Sequence, residues 1–280
     1  MSDVTEAGAI DAPFGSLRPS LAIRTLLAVA CGRHLPSGLR SAVRRRVRPL
    51  IADRDIDVVV EGLKFRISPR DNKDGFDLAA KHRLPEPDER AFVLEQLRPG
   101  DLFVDIGANL GVYSVATAAR APTDVHVVAF EPHPVSRPRL AYNIAANGLQ
   151  DRVTIEPVAV GAEPGHATLW ANASGNQGRA SLHSFSGDRS LGYDVEIVRL
   201  ADRLSAYSAP LGVIKLDIEG FEDQALVPYL EAVDPERWPR AVVVETTHAD
   251  FWKRDLLGAL AERNYRVVQA NDENAMLIRG

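Results

Sequence analysis

Two groups of residues in this chain have types and spacings suited to chemistry. The first is Asp105-x-Gly107-x-Asn109-x-Gly111, at the end of the apolar run "LFVDI", with Glu131 closing the next apolar run, "HVVAFE". A carboxylate at a strand end, one strand on from a Gly-rich strand-to-helix turn, can accept hydrogen bonds from both hydroxyls of a ribose. The pattern is therefore a nucleoside-binding constellation. The glycines alone have a plainer reading, a turn that needs glycine for its backbone. Glu131 adds weight, because an unpaired carboxylate at the end of a buried strand is costly without a ligand or partner.

The second group is "IKLDIEGFE", residues 214–222. Lys215, Asp217 and Glu219 alternate with Ile214, Leu216 and Ile218, which puts the three ionisable groups on one side of a strand or its exit. A lysine among apolar neighbours is expensive unless it pairs with the acids, so Lys215 reads as an internal ion pair. Asp217 ends the strand and reads as a functional carboxylate. Carboxylates and a histidine gathered at strand exits can act as general bases. The candidates are Asp217, Glu219 and His248, the last in "ETTHADFW" after Glu245. His248 has an alternative role as the cap of a helix beginning near Asp250. The same oxygen-rich group can take a hard divalent ion, although no spacing in the sequence demands one.

The elements that must position these residues are readable. "LFVDI" has no alternation of polar and apolar residues, the pattern of a parallel strand covered on both faces, and "VYSVATAAR" continues it as a helix. Alternation persists through strand 126–131, helix 135–148, strand 153–160, strand 213–219, helix 221–233, strand 241–245, helix 250–264 and strands 265–270 and 274–279. Only "NDE" joins the last two strands, so they pair antiparallel. The expected fold is α/β, a doubly wound Rossmann-like sheet, mostly parallel, with an antiparallel last strand and an N-terminal extension. Residues 1–54 read as a basic, helical arm, 55–98 as a hairpin (57–68) and a helix (86–97) packing on the core, and 99–280 as the main domain. Residues 165–198 interrupt the alternation with a strand, a polar loop and a second strand. Ordered loops of that length are usually binding loops, and Trp170, Asn172, Asn176, Gln177 and His183 could recognise an acceptor there.

Composition narrows the class. A chain of 280 residues, 45% hydrophobic, can bury a large core, and its single cysteine, Cys31, excludes an internal disulfide framework. The first sixteen residues carry Asp3, Glu6 and Asp11 where a secretory leader is basic, so the expected location is the cytoplasm. Eight arginines and no acid fall between Leu17 and Leu50, a charge of +8 within a chain of net −5. That arm is either a solvated helix packed on the core by Leu39, Val43 and Val47 or a peripheral contact for a membrane surface or anionic substrate. Nucleic acid is disfavoured as a partner, because the remainder of the chain, at −13, repels phosphate. Phosphate loops, H-E-x-x-H, C-x-x-C, G-x-S-x-G and the Pro-Pro of nucleobase amino-methyltransferases are all missing.

"VDIGANLG", "AFEP", "AVG" at 159–161 and "IKLDIEGFE" together resemble the FkbM-type family of S-adenosylmethionine-dependent methyltransferases, over roughly residues 86–280. The resemblance implies strand order 3-2-1-4-5-7-6, S-adenosylmethionine as cofactor and methylation of a hydroxyl on a sugar, glycan or other small-molecule natural product. It implies that Asp105, Gly107, Asn109 and Gly111 surround the methionine part of the cofactor. Glu131, with Pro132 beside it, would hold the ribose, and the backbone near Val158 and Ala159 the adenine. Asn109 stands where many other methyltransferases have a second glycine. The residues leave two alternatives, a dinucleotide-dependent oxidoreductase using the same turn and a catalytically inactive binding module.

Overall fold

The computed structural model describes residues 12–31, 36–51, 54–68, 78–79, 82–172, 180–181 and 190–280. Helices α1 (Leu21–Cys31) and α2 (Ser37–Ile51) lead into the hairpin β1 (Ile56–Val60) and β2 (Leu63–Ile67) and then α3 (Pro87–Gln96). Next come β3 (Leu102–Ile106), α4 (Val112–Arg120), β4 (His126–Phe130), α5 (Ser136–Ala146) and β5 (Val153–Glu156). An excursion follows through β6 (Ala159–Val160), β7 (Gly165–Asn172), β8 (Ala180–Ser181) and β9 (Ser190–Val198). The chain ends with α6 (Leu200–Leu204), β10 (Leu211–Leu216), α7 (Glu222–Ala232), β11 (Ala241–Glu245), α8 (Leu256–Ala261), β12 (Tyr265–Ala270) and β13 (Asn274–Arg279).

The central sheet runs β12-β13-β11-β10-β3-β4-β5, with β13 antiparallel to both neighbours and the pairs from β11 to β5 parallel. This is the order 3-2-1-4-5-7-6. Alternation along each strand sorts the core into two layers. Phe103, Val127, Val213 and Val243 pack on the side of α1–α5 and the hairpin, while Val104, Val128, Ile214 and Val242 pack on the side of α6–α8. Asp105 and Lys215 occupy the same parity as Phe103 and Val213. They are register partners across β3 and β10, so two ionisable groups meet on the α4 side of an otherwise apolar sheet.

Three expected elements differ. The strand expected over 153–160 is broken by Pro157, which has no N–H for the ladder. β5 stays in the central sheet while β6 pairs with β9 in a second sheet of order β6-β9-β7-β8. The helix expected over 250–264 is a 3-10 turn at Ala249–Phe251, then an extended stretch, then α8. The buried Asp223 accepts hydrogen bonds from Lys253 N and Arg254 N, both at 3.0 Å, and so holds that stretch out of helical conformation. α8 begins afresh after Asp255, whose carboxylate caps Gly258 N. The strand expected over 213–219 ends at Leu216, leaving Asp217 and Glu219 in the following loop.

The basic arm is joined to the fold by its buried face. Val47 and Ile51 are fully buried and Val43 packs at the margin, whereas Leu39 is 49% exposed and stands outside the core cluster. Upstream, Arg66 pairs with Asp57 at 2.8 Å with both side chains fully buried, and donates to Ala12 O and Pro13 O. Asp57 accepts from Gly15 N and Leu17 N.

Asn143, fully buried on α5, fastens the hairpin to the domain. Its Oδ1 accepts from Arg66 N at 2.6 Å, and its Nδ2 donates to Leu110 O at 2.9 Å. Asn143→Leu strands that buried N–H and leaves Leu110 O short of a donor. A loss of about 2–4 kcal/mol in denaturant unfolding is expected, and a loss below about 0.5 kcal/mol would show that the hairpin is held by apolar packing alone.

Candidate active site

β3 delivers the chain to the first loop of the site. Gly107 and Gly111 have φ of +83° and +92°, and Asn109 between them has +51°, a left-handed conformation that asparagine tolerates better than most residues. A Cβ on Gly107 would collide with the Asp217 carbonyl oxygen, and one on Gly111 with Leu140. Both glycines are thus required by the protein's own packing. Gly107 also locks the loop after β3 against the loop after β10.

Glu131 is 5% exposed at the exit of β4. Its Oε2 accepts from Asn109 N at 2.6 Å and its Oε1 from His133 N at 2.8 Å. A carboxylate has about four acceptor positions, so each oxygen retains capacity for a hydroxyl donor. Burial raises Glu131 to about 7, against the lowering effect of those two N–H groups. Pro132 follows at the rim. Ala159 is buried with Leu169 and Val195, so it offers a ligand its backbone alone.

Asp105 is fully buried. Its Oδ2 accepts from Ser114 Oγ at 2.6 Å, and its Oδ1 has no hydrogen-bond partner. Lys215 Nζ lies 3.0 Å from Asp217 Oδ2 and 3.9 Å from Asp105 Oδ1, and 5.0 Å from the Tyr113 ring centroid. Burial opposes the charge on Lys215, and the fields of Asp217, Asp105 and Glu86 outweigh it and raise its pKa. The expected internal ion pair is present, and Asp217, 39% exposed in its side chain, is its outer member.

Beyond Asp217 the loop carries Glu219 at φ +55° and Gly220 at +100°. The fully buried Glu222 holds this turn: its Oε1 accepts from Ile218 N and Gly220 N, and its Oε2 from Trp252 Nε1. Glu219 Oε2 reaches 2.8 Å from His248 Nε2. His248 precedes the 3-10 turn without a side-chain capping bond, so the alternative of a helix cap is not realised. Donor atoms of Glu219, Glu245 and His248 all lie within 4.8 Å of one another, a set able to accept a proton or hold a divalent ion. Burial, then the charges of Asp217, Glu219 and Glu222, push Glu245 up to about 9.

The structure therefore brings Asp105, Gly107, Asn109, Gly111 and Glu131 together, and Glu219 with His248, while Asp217 joins the two groups. Sequence reasoning missed Glu86, Tyr113, Glu222 and His133. His133 Nδ1 accepts from Ser136 N at the start of α5, and its ring meets the edge of Tyr193 from β9 at 4.9 Å. Glu222 was visible in "EGFE", but its partner Trp252 is thirty positions away. Trp170 lies in β7 opposite Gly192, and Asn176, Gln177 and His183 lie outside the described residues.

The buried carboxyl of Glu131 ties stability to pH. It titrates near 7 in the folded chain against 4.5 ordinarily, so between these values the folded state holds a proton that the unfolded chain has released. The stability from this group is complete below about pH 4.5, declines as pH rises and is gone above about 7. Glu131→Gln titrates nothing. The variant's stability relative to the parent, measured by denaturant unfolding, should rise by about 1–3 kcal/mol between pH 5 and pH 8. A difference that stays flat with pH would show that Glu131 is already ionised at pH 5.

Comparison with known proteins identifies the family. The model of the methyltransferase FkbM domain matches residues 105–267, more than half the chain. The chain is 28% identical over 207 residues to the 31-O-demethyl-FK506 methyltransferase FkbM of Streptomyces tacrolimicus, covering 63% of this chain and 77% of that protein. Similar solved structures include an O-methyltransferase from Bacillus cereus in complex with SAH, at 12% identity and TM-score 0.44 over 70% of this chain and 82% of that one. An rRNA methylase from Streptococcus thermophilus is similar at 11% identity and TM-score 0.41, over 68% and 93% respectively. The alternatives of a dinucleotide oxidoreductase and an inactive module fall away: the chain belongs to the FkbM methyltransferase family and is a methyltransferase.

Proposed function

We propose that the protein transfers a methyl group from S-adenosylmethionine to a hydroxyl of a sugar, glycan or other small-molecule natural product, in the cytoplasm. The observation that carries the reading is the Glu219–His248 pair, 2.8 Å apart, on the loops after β10 and β11 and next to the Gly107–Asp217 contact. The relative from Streptomyces tacrolimicus is named for a natural-product acceptor and supports the same class. Among the described residues no helix is long and apolar enough to cross a membrane.

The residues present fit this cofactor. Glu131 keeps acceptor capacity for two ribose hydroxyls, the backbone at Val158 and Ala159 can border the adenine, and Asp105 Oδ1 has a buried acceptor position to fill. When bound, the cofactor supplies an electrophilic methyl on a sulfonium and the thioether leaving group. The protein's part is alignment and a destination for the proton. Asp217, fixed by Lys215, places negative charge beside the Gly107 turn. His248 takes the proton from the acceptor hydroxyl, and Glu219 at 2.8 Å compensates the charge that the ring gains. Glu222 keeps Glu219 in its left-handed conformation during this step.

A second reading rests on the same three donors. If Glu219, Glu245 and His248 hold a divalent ion, a chelator abolishes transfer and Mn²⁺ restores it; otherwise transfer survives the chelator. The arm adds a peripheral contact. Leu21, Leu39 and Leu50 are 75%, 49% and 51% exposed alongside exposed Arg24, Arg45 and Arg46, a surface suited to anionic lipid.

The test is labelled methyl transfer into a panel of glycan and natural-product hydroxyls, with nucleic acid as the contrasting acceptor. His248→Ala, Glu219→Gln and Asp217→Asn should each lower turnover about 100-fold or more, with affinity for S-adenosylhomocysteine changed less than about threefold. Glu131→Ala should instead weaken that affinity by about 1.5–3 kcal/mol. Methyl incorporation into nucleic acid alone, or normal turnover in all three variants, would overturn the reading.

A further inference from the structure

Glu86 lies ahead of the region matched by the family model, yet its carboxylate reaches the site. It precedes Pro87, the first residue of α3, and its backbone is left-handed, with φ 50° and ψ 60°. That conformation is doubly disfavoured, for a non-glycine residue and for one before proline, so surrounding contacts must impose it. Arg90 Nε donates to Pro85 O at 2.7 Å, Arg90 N to Glu86 O at 3.1 Å, and Leu84 N to Glu61 Oε1 at 2.9 Å. Glu61 is itself anchored to Arg120 of α4 at 2.9 Å. The loop carrying Glu86 is thus held by the hairpin turn, α3 and α4 together.

The side chain ends beside Tyr113, whose hydroxyl donates to Glu86 Oε2 at 2.5 Å. Tyr113 belongs to the first turn of α4, two residues past Gly111, and the Lys215 ammonium sits over its ring. Glu86, Asp105 and Asp217 all feel the charge of Lys215, so one cation serves three carboxylates. Asp105 completes the observation: it is fully buried, and its Oδ1 has no hydrogen-bond partner. Three carboxylates gathered around one ammonium, one of them fully buried with an unfilled acceptor, leave a place for a second cation.

We propose that Glu86, positioned by Tyr113, receives the α-ammonium at the amino-acid end of the methyl donor, so that the segment before the matched domain completes the donor site. This rests on the reading of S-adenosylmethionine as donor. With the ribose on Glu131 at one side of the Gly107–Gly111 turn, the amino-acid end is left for the other side, where Tyr113 and Glu86 stand. Its ammonium supplies that second cation, and Glu86 discriminates between donors with and without an amino group.

The experiment is calorimetric titration of the full chain with two probes: S-adenosylhomocysteine, and its desamino analogue with carboxylate and thioether intact. The parent should bind the amino compound more tightly. Glu86→Gln should lose about 10- to 100-fold for S-adenosylhomocysteine and less than threefold for the desamino analogue, so the preference between them collapses. Tyr113→Phe should show the same selectivity at a smaller scale, about three- to tenfold, and decides the matter if Glu86→Gln does not fold. Equal losses for both probes, or an unchanged preference in the variants, would overturn the assignment while leaving the donor reading intact. A parent protein that binds neither probe would overturn the donor reading and this assignment with it.

Discussion

A lysine with 4% of its surface exposed, its ammonium 3.0 Å from one carboxylate and 3.9 Å from another, stays charged because the attraction of these acids outweighs the cost of burial. The register of β10 against β3 sets that arrangement, since it puts Lys215 opposite Asp105 on the α4 side of the sheet. Asp105, Asp217, Tyr113 and Glu86 all lie within reach of this one charge. A neutral residue there would leave Asp105 buried and uncompensated, at a cost on the scale of about 3–5 kcal/mol for breaking such a pair.

The loops around this charge are held by backbone interactions of little slack. Gly107 lets the Asp217 carbonyl close in, Asn109 uses its own N–H to fix Glu131, and Glu222 holds the turn that presents Glu219. Glu86, Asn109 and Glu219 are non-glycine residues with positive φ, and all three border the site. Ser181 of the second sheet donates to Glu219 O at 3.2 Å, which ties the excursion to the same loop. The left-handed backbone at these positions is imposed by contacts from several separate elements.

Much of this was legible in the residues, for reasons that can be named. Central strands such as Leu102–Ile106 and Ala241–Glu245 show as unbroken apolar runs because both of their faces are covered, and the three-residue link "NDE" admits only an antiparallel end. Errors arose where a distant residue overruled a local pattern. Residues 250–255 read as helix, but Asp223, some thirty positions earlier, binds their N–H groups. Glu86 does open a helix as read, but its left-handed backbone was not foreseen, although the proline after it disfavours helical backbone at that position. Glu131 and Asp105 were found because carboxylates at buried strand ends are rare enough to stand out. Tyr113 was hidden in an ordinary helical pattern.

The attachment of the hairpin to α5 bears on how the chain is made. Arg66 N meets Asn143 across 77 residues, and Lys64 meets Asn147 across 83. During synthesis at about 5–20 residues per second, β1 and β2 therefore leave the ribosome roughly 4–16 seconds before the helix that secures them. For that interval Val58, Val60, Phe65 and Ile67, all buried in the finished protein, lack their cover. Glu86, the Asp105–Gly111 turn and Glu131 are all translated within that interval, so the donor-site residues emerge while the hairpin is still open to chaperone capture and misassociation, and the exposure ends once α5 emerges.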